Sequence, residues 1–379
     1  MGTLTEVQPQ VAVKAAAASR LLSLDVFRGM TIAGMILVND AGDWAHIYWP
    51  LEHAEWNGWT PTDLVFPFFL FIVGVSMVLS NESRRARGES RQKLLLHAIK
   101  RSAIIFGLGL FLAGYPSFDL HVIRIPGVLQ RIAVVYLIAS VIVLYTGRLA
   151  QWVIAGCLLI GYFLLMKFVP VPGFGAGDLS PDANLAAYLD RLTLYNHLYV
   201  KYRYDPEGIL STIPAVVTCL LGVFTGEWMR GKQPRAVVHG LLVGAAVGLT
   251  LGKLWSIWFP INKNLWTSSY VLFAGGFAMA VLAVCMFLID VRGWKKWAQP
   301  FVWFGMNPLA IFFLATFVAK MSVKHHVHGV LWKTFVYKGM FEHLFPSPYL
   351  NSLAFALSYV LLFWIVAYIF YRNKIFIKV

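Results

Sequence analysis

Charged residues are scarce in this sequence. Asp, Glu, Lys and Arg make up 13% of its 379 residues, whereas hydrophobic residues make up 59%. A soluble domain carries roughly 25% charged residues. The mean hydropathy of +0.66 indicates the same departure from a soluble composition. The scarcity of charge therefore excludes an ordinary soluble fold.

Cysteine is also rare, and several catalytic motifs are missing. Cys157, Cys219 and Cys285 all fall within predicted membrane spans, so no disulfide framework is expected. The sequence contains no Walker, dinucleotide-binding or serine-nucleophile motif. Residues 1–22 lack an apolar core, which predicts a short cytoplasmic tail rather than a cleavable signal peptide.

Long apolar runs are what the sequence has instead. Runs of roughly 18 to 23 residues are long enough to cross a bilayer as helices. They predict an all-α polytopic membrane protein with about ten transmembrane helices, forming a single domain over residues 23–379. The predicted spans are 25–44, 63–81, 99–115, 127–146, 150–169, 209–229, 236–257, 267–289, 300–319 and 352–371.

The net charge of +14 is distributed unevenly. Seven basic residues lie between positions 80 and 102, whereas the loop around His53 contains no Lys or Arg. This asymmetry is the positive-inside pattern of a bacterial inner-membrane protein. With an even number of spans, it places both termini in the cytoplasm and His53 on the outer face. No base-reading motif accompanies the charge, so we expect no nucleic-acid partner.

A polar stretch over residues 52–67 separates the first two predicted spans. His53 and Asp63 lie in it, and Asn39 and Asp40 lie just upstream. An imidazole accepts protons near neutral pH, so His53 is a candidate general base that Asp63 orients. Asn39 would then donate to a developing oxyanion. The alternative is a loop histidine beside a helix N-cap, because Thr-Pro-Thr-Asp before an apolar run is a common helix start.

Polar groups within apolar sequence need a partner or a ligand. Arg131 should face a carboxylate or an anionic ligand in the bundle interior, and Arg124 and Gln130 precede it closely. Asp25 and Arg28, at the start of the first span, form either a structural pair or a ligand site.

Four further polar segments stand out. Asp205 and Glu207 either hold an ammonium or hydroxyl-rich ligand or cap the sixth span. Residues 260–266 are dense in donors, which suits a sugar or phosphate but also an ordinary turn. Asn307 stands at an expected helix break before Pro308. The cluster at residues 325–328 lacks Cys or carboxylate ligands, so we expect a basic interfacial loop and no metal site.

Glycines at 240, 244, 248 and 252 line one helix face. Small residues at that spacing let two helices approach closely, either within the fold or across a dimer.

Taken together, these motifs resemble the heparan-α-glucosaminide N-acetyltransferase family. The matching segments are LDVFRG at 24–29, VN at 38–39, HAEWNG at 53–58, DLVFP at 63–67, RIPGVLQR at 124–131, YDPEGIL at 204–210, PINKNLW at 260–266 and GMN at 305–307. The resemblance implies acetyl transfer from cytoplasmic acetyl-CoA to the amine of a glucosamine unit, by a homodimer.

The resemblance also implies roles for the site residues. His53 aligns with the family's catalytic histidine and Asn39 with the asparagine that assists it, and Asp63 completes the catalytic set. The residues expected to bind the cofactor are Arg28, Arg124, Gln130, Arg131, Lys263 and Asn307. Those expected to bind the acceptor are Asp40, Trp56, Asn57, Asp205, Glu207, Asn262, Asn264 and Trp266. An amino-sugar transporter and an O-acyltransferase acting on periplasmic glycan are the alternatives.

Overall fold

The computed structural model describes residues 21–200 and 203–377, so the predicted tail over residues 1–20 lies outside the described part. The helices are α1 Leu22–Asn39, α2 Pro61–Arg85, α3 Arg91–Gly114, α4 Val128–Tyr145, α5 Arg148–Phe168, α6 Leu185–Leu194, α7 Thr212–Met229, α8 Pro234–Trp255, α9 Ser268–Met286, α10 Gln299–Met306, α11 Pro308–Ser322, α12 Trp332–Met340 and α13 Pro348–Arg372. Two short antiparallel hairpins pair β1 Pro170–Val171 with β2 Gly175–Ala176, and β3 His326–Val327 with β4 Val330–Leu331. Short 3-10 turns cover Trp49–Leu51, Tyr195–His197 and Lys296–Ala298, and α9 continues as a π-helical turn over Phe287–Val291.

The prediction of an all-α polytopic membrane protein is confirmed. Within the described ranges, nine helices are long and apolar enough to cross a membrane, and α10 with α11 forms a tenth crossing when taken as one span. These two helices meet at an angle of 74°. The break falls at Asn307, as expected, because Pro308 cannot donate a backbone hydrogen bond and disfavours helical geometry in the preceding residue.

Two predicted spans differ from the observed helices by five residues or more at one end. The third was predicted over 99–115, but α3 begins at Arg91, where the side chain of Ser90 accepts a hydrogen bond from the Lys93 N–H. A hydropathy pattern detects only the apolar part of a helix, and α3 extends beyond it. The first predicted span extended to residue 44, whereas α1 ends at Asn39. Asp40 therefore lies just beyond the helix.

Helix α2 packs closely against α7 because each helix places a glycine against the backbone of the other. A side chain at Gly74 would meet the carbonyl of Cys219, and one at Gly222 would meet the carbonyl of Phe71. Small residues at such crossings allow backbone-to-backbone packing, which supplies van der Waals contact where the hydrophobic effect does not act.

The glycine stripe at 240–252 also packs inside the fold. Gly248 of α8 lies against the backbone of Gly276 in α9. Gly29 and Gly305 have the same arrangement where α1 crosses α10. The stripe therefore serves an internal contact, as the first of its two interpretations predicted.

The alternating helices define two ends of the bundle. The end we call the site end carries the connections α1–α2, α3–α4, α5–α7, α8–α9 and α11–α13. The end we call the basic end carries the other connections, with Arg84, Arg148, Arg230, Arg292 and Arg372 in or beside them. The polar segments singled out in the sequence mostly gather at the site end.

Candidate active site

His53 is held in place by the first turn of α2. Thr60 and Asp63 form a capping box there, in which the Asp63 carboxylate accepts the Thr60 N–H at 3.0 Å. The same carboxylate accepts the Ala54 N–H at 3.1 Å and lies 2.7 Å from Nδ1 of His53. Asp63 is buried, whereas 45% of the His53 side chain is exposed. One carboxylate therefore both begins the helix and orients the imidazole.

Lys263, in the connection between α8 and α9, contacts this pair. Its Nζ lies 3.1 Å from Nδ1 and 3.3 Å from Nε2 of His53, and 3.6 Å from the Asp63 carboxylate. Burial lowers the pKa of Lys263, although Asp63 and Glu207 oppose that shift. The imidazole is therefore flanked by a carboxylate and a lysine.

Two contacts tie the loop carrying His53 to the loop carrying Lys263. Asn262 donates through its amide to Asn57 at 3.2 Å, and the Gly58 N–H donates to the Ile261 carbonyl at 2.8 Å. Gly58 adopts a φ of +103°, which favours glycine. The Asn262 side chain also accepts the Leu265 N–H at 2.8 Å. Asn57 and Asn262 thus hold the two loops together.

His53, Asp63 and Lys263 line a cavity of about 390 Å³, which we call the catalytic cavity. Asn39, Trp56 and Asn264 line it together with His53. Asn39 is exposed at the end of α1. The indole of Trp56 donates to the Leu179 carbonyl at 2.9 Å, which fixes the ring at the wall. Amide, indole and imidazole groups therefore face one space.

Arg124 lines one side of the catalytic cavity, where it binds two carboxylates. Its guanidinium donates to Asp205 at 2.6 and 2.9 Å and also to Glu207. Burial acts to lower the pKa of Arg124, but its bonds to the two carboxylates outweigh it and raise that pKa. Burial acts to raise the pKa of Glu207, but Arg124 and Arg131 outweigh it and keep the carboxyl ionised. Neither carboxylate caps α7, whose N-cap is Ser211 without a side-chain hydrogen bond.

Arg131 is buried in the bundle interior. It donates to the Gly208 carbonyl at 3.1 Å and to the Ser211 hydroxyl, and its guanidinium carbon lies 5.1 Å from the Trp266 ring. The Trp266 indole is also buried and donates to Thr218 at 3.0 Å. Both side chains are thus packed inside the helix bundle and do not line the catalytic cavity.

The remaining predicted residues are spread over other places. Arg28 donates to Ser76 at 2.7 Å and to Asp25 at 3.2 Å, in the half of α1 that is nearer the basic end. Asn307 binds the backbone of Ile375 at 2.9 Å and that of Ile377 at 2.8 Å. The structure does not bring Arg28 or Asn307 to the catalytic cavity. Asp40 and Gln130 line a second, neighbouring cavity.

Sequence reasoning missed two tyrosines at the catalytic cavity. Tyr199 and Tyr204 line it, and the Arg124 guanidinium lies 4.5 Å from the Tyr199 ring centroid. The Trp56 and Tyr204 rings meet edge to face at 5.1 Å. Tyr204 directly precedes Asp205 in a polar segment that the sequence did single out, whereas nothing in the local pattern distinguished Tyr199.

A bundle of membrane-spanning helices with a carboxylate-paired histidine at one end defines a multi-pass membrane protein. The family model described as heparan-alpha-glucosaminide N-acetyltransferase, catalytic, matches residues 20–251. The chain belongs to this family.

Two relatives extend the similarity over nearly the whole chain. The heparan-alpha-glucosaminide N-acetyltransferase of Homo sapiens is 32% identical over 434 aligned positions, and that of Mus musculus is 31% identical over 433. The alignments cover 99% of this chain and 62% of each relative. The chain therefore spans about three fifths of the length of these relatives.

Proposed function

We propose that this protein is a transmembrane N-acetyltransferase. It moves an acetyl group from acetyl-CoA to the amine of glucosamine or of a glucosamine-terminated saccharide. The observation that carries this proposal is the 2.7 Å contact between Asp63 and Nδ1 of His53, on the wall of an open cavity. The family membership supplies the reaction class.

His53 acts as the general base in this proposal. With Nδ1–H donated to Asp63, the neutral ring keeps its lone pair on Nε2. Nε2 takes a proton from the sugar amine while the amine nitrogen attacks the thioester carbonyl carbon. The tetrahedral intermediate collapses by breaking the carbon–sulfur bond. The CoA thiolate leaves and takes a proton, which gives CoA and the N-acetyl sugar.

Asn39 and Lys263 supply the electrostatic part of the mechanism. The carbonyl oxygen gains negative charge as the tetrahedral intermediate forms, and a fixed donor stabilises it. Asn39 lines the catalytic cavity, and we assign it the donor role expected from the resemblance. Lys263 places positive charge within 3.3 Å of Nε2 and so acts beside the reacting atoms.

A second route acetylates His53 before the sugar binds. The Nε2 atom would attack the thioester directly, and the amine would then attack the acetyl-imidazole. This route gives ping-pong kinetics, whereas the general-base route requires both substrates to be bound together. Initial-rate measurements with both substrates varied separate the two.

The donor and acceptor approach from opposite ends in this proposal. The basic end faces the cytoplasm by the positive-inside rule and attracts the phosphates of CoA. The acceptor then enters at the site end, on the outer face of a bacterial inner membrane. The homodimer expected from the resemblance stays a prediction, because the glycine stripe is occupied by the α8–α9 contact.

The test is acetyl transfer by purified His53→Ala protein with labelled acetyl-CoA and glucosamine. We expect a loss of about 10²- to 10⁴-fold, the usual contribution of a positioned base, while the fold and CoA binding are retained. His46→Ala is the matched control, because His46 is also at the site end and pairs with Asp43 at 2.7 Å. A fully active His53→Ala protein contradicts the proposal.

The acceptor assay also tests the two other functions. Labelling of a sugar that has hydroxyl groups and no amine indicates the O-acyltransferase. Uptake of glucosamine into liposomes without acetyl-CoA indicates the transporter.

A further inference from the structure

Lys263 places an amine where the proposed reaction uses one. Its Nζ atom lies 3.3 Å from Nε2 of His53, the nitrogen that takes the proton of the sugar amine in the proposed mechanism. A group that gives its proton to a base must lie within about 2.6–3.2 Å of it, and such contacts are often longer before substrates bind. Among the described residues that line the catalytic cavity, Lys263 alone carries a primary amine. It therefore occupies the position that the acceptor amine takes.

The side chain of Lys263 is directed at the catalytic pair. In the described part of the chain, its hydrogen-bond and ion-pair contacts are with His53 and Asp63 alone. The Lys263 carbonyl accepts the Trp266 N–H at 3.0 Å, which fixes the backbone behind the amine. The side chain is 18% exposed and that of His53 is 45% exposed, so a substrate entering the cavity can reach both.

The surroundings of Lys263 also favour its reactive form. An amine is a nucleophile only when it is uncharged. An exposed lysine has a pKa of about 10.4 and is almost wholly charged at neutral pH. Burial lowers the pKa of Lys263, although Asp63 and Glu207 oppose the shift. Lys263 therefore carries the uncharged amine more often than an exposed lysine does.

We propose that Lys263 is a self-acetylation site, which takes the acetyl group of acetyl-CoA when no acceptor amine occupies the catalytic cavity. This inference rests on the proposed function, because it uses the same donor and the same base. The ammonium form of Lys263 first releases one proton to water. Nζ then attacks the thioester carbonyl carbon while Nε2 of His53 removes a second proton. The carbon–sulfur bond breaks, the CoA thiolate takes the proton from His53, and the products are CoA and Nε-acetyl-lysine.

Acetylation of Lys263 slows the transfer of acetyl groups to the sugar. Acetylation removes the charge of a lysine, so the modified side chain no longer places positive charge beside the reacting atoms. The added acetyl group also fills part of a cavity of about 390 Å³. The modified protein accordingly acts like Lys263→Met, with sugar acetylation about 10- to 100-fold slower. A supply of acceptor thus protects the protein from its own donor.

The experiment incubates the purified protein with acetyl-CoA and no sugar, and peptide mass mapping follows the acetylation of each lysine. Lys338 is the internal control, since it is exposed on α12 and does not line the catalytic cavity. We expect Lys263 to be acetylated about 10²- to 10⁴-fold faster than Lys338, the usual contribution of a positioned base. Saturating glucosamine slows the modification of Lys263, because its amine competes for the same position. Equal rates at the two lysines, or no protection by glucosamine, overturn the proposal.

Two variants separate catalysed modification from simple chemical reactivity. His53→Ala lowers the rate at Lys263 by about 10²- to 10⁴-fold and leaves the rate at Lys338 at its wild-type value. Lys263→Arg keeps a positive charge beside His53, but its guanidinium stays charged and supplies no nucleophilic amine. Preincubation with acetyl-CoA therefore slows sugar acetylation by the wild type, whereas Lys263→Arg has the same rate with and without it. A rate at Lys263 that is unchanged in His53→Ala contradicts the inference.

The two acetylated products lie on different molecules, which keeps this inference separate from the proposed function. If glucosamine is acetylated and Lys263 stays unmodified, this inference fails and the proposed function stands. If Lys263 is acetylated faster than Lys338 by the expected factor and no sugar is acetylated, the modification stands and the proposed function fails. If neither product forms, both fail.

Discussion

Replacing Asp63 with asparagine tests how the site controls the protonation of His53. One carboxylate oxygen of Asp63 accepts the Ala54 and Thr60 N–H groups, and the other faces Nδ1 of His53 at 2.7 Å. In Asp63→Asn the amide oxygen must keep the two backbone donors, because each unsatisfied buried N–H costs about 1–3 kcal/mol. The amide NH₂ then faces Nδ1. The ring accordingly carries its proton on Nε2 and no longer acts as a base.

The expected loss follows from this change of tautomer. A positioned general base contributes about 10²- to 10⁴-fold, which corresponds to about 3–5 kcal/mol of activation free energy. Stability changes less, because the backbone contacts of the capping box survive. We expect a loss of at most about 1–2 kcal/mol from the weakened cap. The loss of activity is therefore expected to be larger than the loss of stability.

The assay measures kcat for acetyl transfer to glucosamine together with the apparent melting temperature in the same detergent. Asp182→Asn is the matched control, since Asp182 forms an exposed ion pair with Arg203 at 2.7 Å. A folded Asp63→Asn protein with kcat within about threefold of wild type would refute the orientation argument.

Three further predictions test other parts of the structure. Lys263→Met lowers kcat by about 10- to 100-fold, because the substitution removes the positive charge beside His53. Initial rates at saturating substrate measure this loss. An unchanged kcat would show that Lys263 has no part in the mechanism. Asp40→Asn raises the melting temperature at pH 8 and has little effect below about pH 4. Because the pKa of Asp40 is raised from 3.8 to about 7, its contribution to stability is fully present below the lower value and is lost as the pH rises from there through the higher one. The gain is at most roughly 4 kcal/mol, and melting curves that are parallel across pH contradict it. Gly74→Leu prevents folding, because the new side chain meets the backbone of α7. Gly156 faces open space, so Gly156→Leu gives a protein that is monodisperse by size-exclusion chromatography. Equal behaviour of the two variants contradicts the packing argument.

The helices and the His53–Asp63 pair were predictable because their signals are local. Apolar runs marked the spans, and ten residues separate His53 from Asp63. The sequence left open whether Asp63 caps a helix or orients the histidine. The structure shows that it does both, since its two oxygens have different partners.

The position of Lys263 was not predictable from a local pattern. It lies 210 residues from His53 along the chain, and only helix packing brings the two together. The resemblance placed Lys263 among the residues expected to bind the cofactor, and no local pattern linked it to His53. Arg131 was expected to face a carboxylate or an anionic ligand. Its hydrogen bonds go to Gly208 and Ser211, and Arg124 binds the neighbouring carboxylates.

The hydrogen bonds that join the two site loops have a consequence for biosynthesis. Asn57 and Gly58 are translated long before Asn262 and Ile261, the residues to which they bind. A nascent chain with only its first spans inserted therefore lacks the partner that fixes its histidine loop. We expect the site to become complete only after α8 and α9 have entered the membrane. The enzyme would accordingly stay inactive during most of its insertion, and a chain released before that point would carry His53 without Lys263.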